Sequence, residues 1–204
     1  TSLNLNYPPR FTQVVTEEEA LTELSENHYE LIIQMPNMDE TDMFFTAKHI
    51  KEHFNDIPFV VLTPFSREVT KRLSQEDLSG VDYVFSWLGN PDLLLAIIKL
   101  IEDAMNAEHD TESVGVQIIL LIEDSVRFYS SALPTLFKIV MEESKEFSKE
   151  ALNEHQQMLR MRGRPKIMLA RTYEEAVGIY TEYKDNILGI AVSYTHLRAH
   201  ETRR

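Results

Sequence analysis

Two adjacent carboxylates follow directly on an apolar run near the middle of the chain. Residues 116–122 are almost wholly apolar, and Glu123, Asp124 and Ser125 come next. Carboxylates at the end of a strand suit Mg²⁺, which takes one or two of them together with waters and a phosphate oxygen. The alternative is structural, with Asp124 or Ser125 capping the helix that follows. The dipeptide by itself favours neither interpretation.

Other kinds of chemistry lack the sequence patterns that they need. The chain has no cysteine, which excludes disulfides and thiolate zinc sites. It has six glycines, and they form neither a G-x-G-x-x-G motif nor a Walker-type loop. Ser–His–Asp and Cys–His catalysis have no local signature either. The acidic pair is therefore the main candidate site.

Apolar runs alternate with amphipathic stretches along the chain. The runs predict strands and the helical spacing predicts helices, so the pattern implies a parallel sheet with helices on both faces. In such a sheet the active residues lie at the carboxyl ends of the strands. The predicted strands are 11–15, 31–33, 57–62, 81–85, 116–122, 166–170 and 187–190. Two helices are predicted to begin at Thr16 and at Pro91, and four more are predicted at 44–54, 67–78, 127–160 and 173–183.

Two short segments have nearly the same sequence and the same surroundings. Residues 16–20 read Thr-Glu-Glu-Glu-Ala, and residues 172–176 read Thr-Tyr-Glu-Glu-Ala. Each follows a predicted strand and precedes another at the same distance, and in the first segment Thr16 and Glu19 have the spacing of a capping box. This self-similarity indicates one supersecondary unit used twice, although a capped helix between strands also recurs by chance.

The alignment of the two copies shows which parts of each are present. The second copy has a strand and a long helix before its repeated segment. In the first copy only residues 1–10 are available at that place, which is too short for a strand and a long helix. The first copy continues for two more strands after the second stops. We therefore expect two incomplete copies, at 1–106 and 116–190, joined by a polar linker at 107–115.

The C-terminal residues are expected to be foreign to the protein. Residues 192–202 resemble the translation of a transposase adapter used in preparing DNA sequencing libraries. The native sequence is therefore predicted to end near Ile190, and 191–204 to be a non-native tail.

The segment 118–125 resembles the first strand of a response-regulator receiver domain, which is a flavodoxin-like, doubly wound parallel sheet with strand order 2-1-3-4-5. The resemblance implies that Glu123 and Asp124 hold Mg²⁺ beside an aspartate that accepts a phosphoryl group. That aspartate would fall near Ala191 to Ser193, where the chain has none. The second copy is therefore expected to lack its phosphoacceptor, and the chain to have no catalytic residue.

The first copy resembles the rest of a receiver but departs from it at the chemical positions. Met35 stands in the phosphoacceptor place and Ser86 in the place of a phosphate-pairing lysine. Thr63 matches the switch hydroxyl, and Tyr83 matches the switch aromatic unless it is simply a core or surface tyrosine. The resemblance implies a pseudo-receiver. In the receiver order the first strand lies between the second and the third, and the first copy lacks this strand. Strand 116–122 could fill the place, so one composite sheet built from both copies is the alternative to two separate lobes.

Composition restricts the partners. The chain has 20 Lys and Arg against 33 Asp and Glu, a net charge of −13, which argues against nucleic-acid binding. No apolar stretch is long enough to span a membrane, and the absence of cysteine is typical of a reducing, cytoplasmic location. One basic cluster is interpreted as the end of the long helix rather than as a phosphate-binding patch; it contains Arg160, Arg162, Arg164 and Lys166.

Two functions remain open. The first is part of a bacterial two-component phosphorelay protein, partnered by a histidine kinase, with Mg²⁺ as cofactor. The second rests on residues 106–129, which resemble a region of bacterial proteins related to phosphoenolpyruvate synthase. This second resemblance implies that the chain is a scaffold that regulates attached catalytic domains and that the full-length protein is a phosphotransferase. The helix 127–160 is a candidate dimer interface, although its apolar residues are more simply a core face.

Overall fold

The chain is described by a computed structural model over residues 9–35, 45–64, 78–149 and 163–192. Within these residues it is a mixed α/β protein with two three-stranded parallel sheets and five helices. The described residues form two compact units, an N-terminal unit that ends at Pro91 and a C-terminal unit that begins at Asp92. None of the described helices combines the length and apolar character that crossing a membrane requires.

The N-terminal unit is built on a sheet with the strand order β1-β2-β3, in which neighbouring strands are parallel. Its elements are α1 (Glu17–Glu26), β1 (Ile32–Gln34), α2 (Phe45–His53), β2 (Phe59–Pro64) and β3 (Tyr83–Trp87). The first five residues of the central strand β2 are buried. This confirms the predicted buried strand, because an apolar run without alternation suits a strand covered on both faces. The helix predicted at 67–78 lies almost entirely outside the described residues.

Helix α1 begins with the predicted capping box. Thr16 Oγ1 accepts a hydrogen bond from Glu19 N at 3.2 Å, and Glu19 Oε2 accepts in return from Thr16 N at 3.4 Å. Glu17 in the first turn joins α1 to α2, since its carboxylate accepts from Thr46 Oγ1 at 2.9 Å and contacts His49 Nδ1. The cap is local, but the Glu17 contacts depend on the packing of two helices.

The strand predicted at 11–15 does not form. This segment is irregular, and Phe11 and Val15 are 71% and 86% exposed. Among the described residues β1 pairs only with β2, so its other edge has no strand beside it. A strand needs a partner for its backbone N–H and C=O groups, and an apolar run alone does not supply one.

The C-terminal unit has the strand order β5-β4-β6, again with parallel neighbours. Its elements are α3 (Asp92–Val114), β4 (Ile118–Ile122), α4 (Val126–Lys149), β5 (Lys166–Ala170), α5 (Tyr173–Tyr183) and β6 (Ile187–Val192). Helix α5 packs on one face of the sheet, where Leu120, Ala170 and Ala176 form a buried cluster. The alternate residues Ile167 and Leu169 are buried too, so both faces of β5 are covered.

Helix α5 also begins with a threonine cap. Thr172 Oγ1 accepts from Glu175 N at 3.1 Å, and Glu175 Oε2 accepts from Arg171 N at 2.6 Å. The two repeated sequence segments therefore share the threonine cap, while the full capping box is present at Thr16.

The predicted linker at 107–115 is wrong, because α3 continues to Val114. Ala107 and Thr111, one helical turn apart, are buried, and Thr111 Oγ1 donates to Ala107 O at 2.8 Å. Gly115 then ends the helix with a φ of 70° and donates from its N to Thr111 O, which is the left-handed glycine stop. The segment looked aperiodic because its buried stripe consists of small residues and its exposed face is polar.

The interpretation of the basic cluster as a helix end is wrong for Arg164 and Lys166; Arg160 and Arg162 lie outside the described residues. Arg164 Nη2 donates to Asp103 Oδ1 at 2.6 Å and its Nη1 to Oδ2 at 3.0 Å. Lys166 Nζ lies 2.5 Å from Asp110 Oδ2. All but Asp110 are buried, so these ion pairs join β5 to α3 inside the unit.

The composite-sheet alternative is wrong, since β4 pairs with β5 and β6 and belongs to a separate sheet from β1. Two α/β units form, each with its own parallel sheet. The predicted bounds of 1–106 and 116–190 differ from the observed ones, because α3 packs against α4 and β5 and so belongs to the C-terminal unit. The long helix predicted at 127–160 is helical over its described part, and residues 150–160 lie outside it. Its predicted apolar face is largely in the core: Leu133, Phe137, Val140 and Met141 are buried, and Leu136 is half-buried.

Candidate functional site

The buried carboxylate of Glu123 directly follows β4, the central strand of its sheet. Glu123 is 6% exposed, and its N donates to Ala170 O at 3.0 Å, which holds its backbone against β5. Its Oε1 accepts from Ser125 N at 2.8 Å. Its Oε2 is buried and has no hydrogen-bond partner in the described part of the chain. A buried acceptor left unsatisfied costs about 1–3 kcal/mol, and more when it is charged, so this oxygen is suited to a cation.

Asp124, the second residue of the pair, is exposed at the same edge of the sheet. Ser125 begins α4 through its backbone, because its carbonyl accepts from Tyr129 N at 3.1 Å. The acidic pair therefore combines one buried and one accessible carboxylate. This donor set fits Mg²⁺, which binds one or two carboxylates and completes its shell with water.

The end of β6 lies beside the acidic pair. In the parallel register Ala191 pairs with Leu121 and Val192 pairs with Ile122, the residue before Glu123. The position implied for a phosphoacceptor is thus next to the carboxylates, yet Ala191 and Val192 are apolar and Ser193 lies outside the described residues. Within the described ranges no group of three or more His, Cys, Asp and Glu residues could hold a metal. The third ligand of the expected site is not among them.

A second polar group lies at the carboxyl ends of the strands in the N-terminal unit. Thr63 in β2 is fully buried and pairs in register with Ser86 in β3, which is 4% exposed. Gln34 ends β1 opposite Val61, so by strand alternation its side chain shares a face with those of Thr63 and Ser86. Thr63 Oγ1 and Gln34 Oε1 are both buried without a hydrogen-bond partner among the described residues.

The other residues expected at this site are placed differently. Met35 follows β1 and is 64% exposed. Its side chain has no oxygen that could accept a phosphoryl group. Tyr83 is half-buried at the start of β3, and by alternation it lies on the face opposite Ser86, with its ring 6.2 Å from that of Phe85. The structure therefore brings together Thr63 and Ser86 but not Tyr83.

Gln34 was not identified from the sequence. Its signal is a single polar residue at the carboxyl end of an apolar strand, the position that is commonly functional in a parallel sheet. The aspartates that pair with the basic cluster were missed too. Asp103 and Asp110 are seven residues apart, which places them on one face of a helix.

Comparison of the chain with protein-family models, with curated proteins and with solved structures gave no match in any of the three.

Proposed function

We propose that the C-terminal unit is the first half of a receiver-like, flavodoxin-like module that binds Mg²⁺ through Glu123 and Asp124. The observation that carries the proposal is the buried Glu123 Oε2 without a partner at the carboxyl end of the central strand. The order β5-β4-β6 agrees with the 2-1-3 part of the receiver order, and β1-β2-β3 agrees with its 3-4-5 part.

In this proposal the ion binds Glu123 Oε2 and the carboxylate of Asp124. A bound Mg²⁺ would neutralise charge on a phosphoryl group at the edge of the sheet. Glu123 is held for this task by its bonds to Ser125 N and Ala170 O. The chain belongs to a cytoplasmic two-component phosphorelay protein, with a histidine kinase as its partner. Because Ala191 and Val192 offer no nucleophile, phosphoryl transfer to this copy is not expected.

Magnesium titration tests the proposal. We expect Mg²⁺ to raise the unfolding temperature of the chain relative to NaCl of equal ionic strength, since an ion that binds only the folded state stabilises it. The Glu123→Gln variant should weaken the apparent Mg²⁺ affinity at least about tenfold. The matched control is Glu142→Gln, because Glu142 is an exposed carboxylate on α4. Absence of a saturable Mg²⁺ effect, or equal weakening by both variants, would exclude the metal site.

A second function is favoured by the N-terminal unit. Exposed Met35 at the phosphoacceptor place, and Ser86 in place of lysine, suit a non-catalytic scaffold. Such a pseudo-receiver would regulate an attached phosphotransferase related to phosphoenolpyruvate synthase. A chain that binds no Mg²⁺ at Glu123 would favour this scaffold over the phosphorelay module.

A further inference from the structure

Two histidines stand one helical turn apart on α2. They are His49 and His53, and this spacing places their side chains on the same face of the helix. The centres of their rings are 5.3 Å apart, and the rings are nearly perpendicular, with an interplanar angle of 75°. His49 is half-buried and His53 is exposed, so both rings can be reached from solvent. Two histidines with this spacing on one helix face can bind the same metal ion.

The hydrogen bonds of the two rings fix where their protons lie. His49 Nδ1 contacts the carboxylate of Glu17 on α1, and His53 Nδ1 lies 3.1 Å from His49 O. A carboxylate that is ionised at neutral pH and a backbone carbonyl can only accept hydrogen bonds, so both Nδ1 atoms donate. The other nitrogen of each neutral ring then carries a lone pair. Both rings therefore keep Nε2 for a ligand bond.

These contacts are of the kind that orient a histidine for metal binding. A metal-binding histidine donates its other ring N–H to a carboxylate or a backbone carbonyl, which fixes the tautomer and the direction of the ring. Glu17 has this position beside His49, and its carboxylate also accepts from Thr46 Oγ1 at 2.9 Å. The carbonyl of His49 has the same position beside His53. Both rings are thus already oriented by partners within the described residues.

We propose that His49 and His53 together bind a transition-metal ion, represented by Zn²⁺, through their Nε2 atoms. Imidazole suits Zn²⁺, Cu²⁺ and Ni²⁺, whereas Mg²⁺ prefers oxygen ligands. Zn–N bonds are about 2.0–2.1 Å long, and an ion at that distance from each Nε2 is compatible with rings whose centres lie 5.3 Å apart. Within the described ranges no third His, Cys, Asp or Glu joins the pair. Water or a small ligand therefore completes the coordination.

The local charges favour a cation at this place. His53 is the last residue of α2, and the C-terminal end of a helix carries a partial negative charge. Lys51 lies between the two histidines in sequence but not on their face of the helix, and its Nζ is 2.8 Å from Asp82 Oδ2. The site belongs to the N-terminal unit and shares no residue with the site at Glu123. The inference therefore does not depend on the proposed function.

NMR spectroscopy of the full chain tests the site residue by residue. Zn²⁺ should shift the imidazole nitrogen signals of His49 and His53 in one saturable transition, with Nε2 affected most in each ring. Resolution by residue is needed because His196 and His200 are also four residues apart in the sequence. Mg²⁺ at the same concentrations should leave both rings unchanged. A Zn²⁺ response in neither ring, or in only one of them, would exclude the two-histidine site.

Single substitutions give a matched comparison. His53→Ala should raise the apparent Zn²⁺ dissociation constant measured at His49 at least about tenfold, because two linked ligands bind more tightly than one. His109→Ala is the control, since His109 is an exposed histidine on α3, and it should leave the affinity at His49 unchanged. Equal affinity at His49 in both variants would show that the two rings do not share an ion, and it would overturn the proposal.

Discussion

Three side-chain oxygens in this protein are buried and lack a hydrogen-bond partner among the described residues. They belong to Glu123, Thr63 and Gln34, and each lies at the carboxyl end of a parallel strand. Buried polar atoms in native proteins are rarely unsatisfied, and each exception calls for an explanation. Their common location suggests that both sheets present polar groups at the edge where α/β proteins bind ligands.

The hydroxyl of Thr63 can be tested by its cost to stability. We expect Thr63→Val to raise the free energy of unfolding by about 1 kcal/mol, because it removes an unsatisfied polar atom from a fully buried position. Thr111→Val is the matched control, since that buried hydroxyl donates to Ala107 O, and it should lower the free energy by about 1 kcal/mol. Urea denaturation measures both. A loss of stability in both variants would show that Thr63 has a partner.

The Glu17 carboxylate gives a prediction about pH. Its hydrogen bond to His49, and to a lesser extent its bond to Thr46, hold the pKa of Glu17 below its usual value, against the effect of burial. The ionised form is therefore favoured in the folded protein. The contribution to stability is present above the ordinary glutamate pKa of about 4.3. It is lost as the pH falls through the lower folded pKa.

His49→Ala should therefore raise the pKa of Glu17 toward its usual value. The measurement is an NMR titration of the Glu17 side-chain carbonyl carbon. His28→Ala serves as control, because His28 is exposed and outside this pair. An unchanged pKa in His49→Ala would mean that another group causes the shift.

Elements of the C-terminal unit are joined by a buried carboxylate. Asp103 on α3 is fully buried and accepts from Arg164 through both oxygens, and its Oδ2 also accepts from Ile167 N at 2.8 Å. One side chain thus holds α3 to the first residues of β5. The guanidinium of Arg164 also lies 6.0 Å from the centre of the Phe137 ring on α4, so three elements meet at this pair.

Asp103→Asn should destabilise the unit strongly. Neutralising one member of a buried pair leaves the Arg164 charge uncompensated, which costs about 3–5 kcal/mol. Asp185→Asn is the control, because Asp185 is exposed, and its effect should stay within about 0.5 kcal/mol. Chemical denaturation with circular dichroism gives both values. A change below 1 kcal/mol for Asp103→Asn would show that water reaches Arg164.

The whole chain is strongly acidic, and two of its basic side chains form ion pairs inside the C-terminal unit. The 20 basic residues are outnumbered by 33 acidic ones. Arg164 and Lys166, the described members of the main basic cluster, are buried in ion pairs. Neither is accessible to a phosphate backbone. Charge and burial together thus oppose nucleic-acid binding.

We therefore expect no binding to duplex DNA, even at low salt, where phosphate contacts are strongest. Fluorescence anisotropy of a labelled duplex measures this directly. The comparison is a basic protein of similar size under the same conditions. Saturable binding that weakens with added salt would reveal a basic surface in residues outside the described ranges.

Short-range features could be predicted from the sequence. The helix caps at Thr16 and Thr172 involve atoms within a few residues of each other, and in both the threonine hydroxyl accepts from the backbone N of the glutamate three residues on. The apolar runs became the strands β2, β4 and β5 because their burial follows from composition alone. The position of Glu123 and Asp124 at the end of β4 followed in the same way.

Features that depend on a distant partner were decided only by the tertiary structure. Residues 11–15 have strand-like composition but pair with no strand in the described part of the chain. Residues 107–114 are helical because one small-residue stripe packs in the core. Arg164 is a buried ion-pair partner because Asp103, distant in sequence, meets it inside the unit. Caps and apolar runs are encoded in neighbouring residues. Pairing and the satisfaction of buried polar atoms depend on which elements come together, and so only the folded chain decided them.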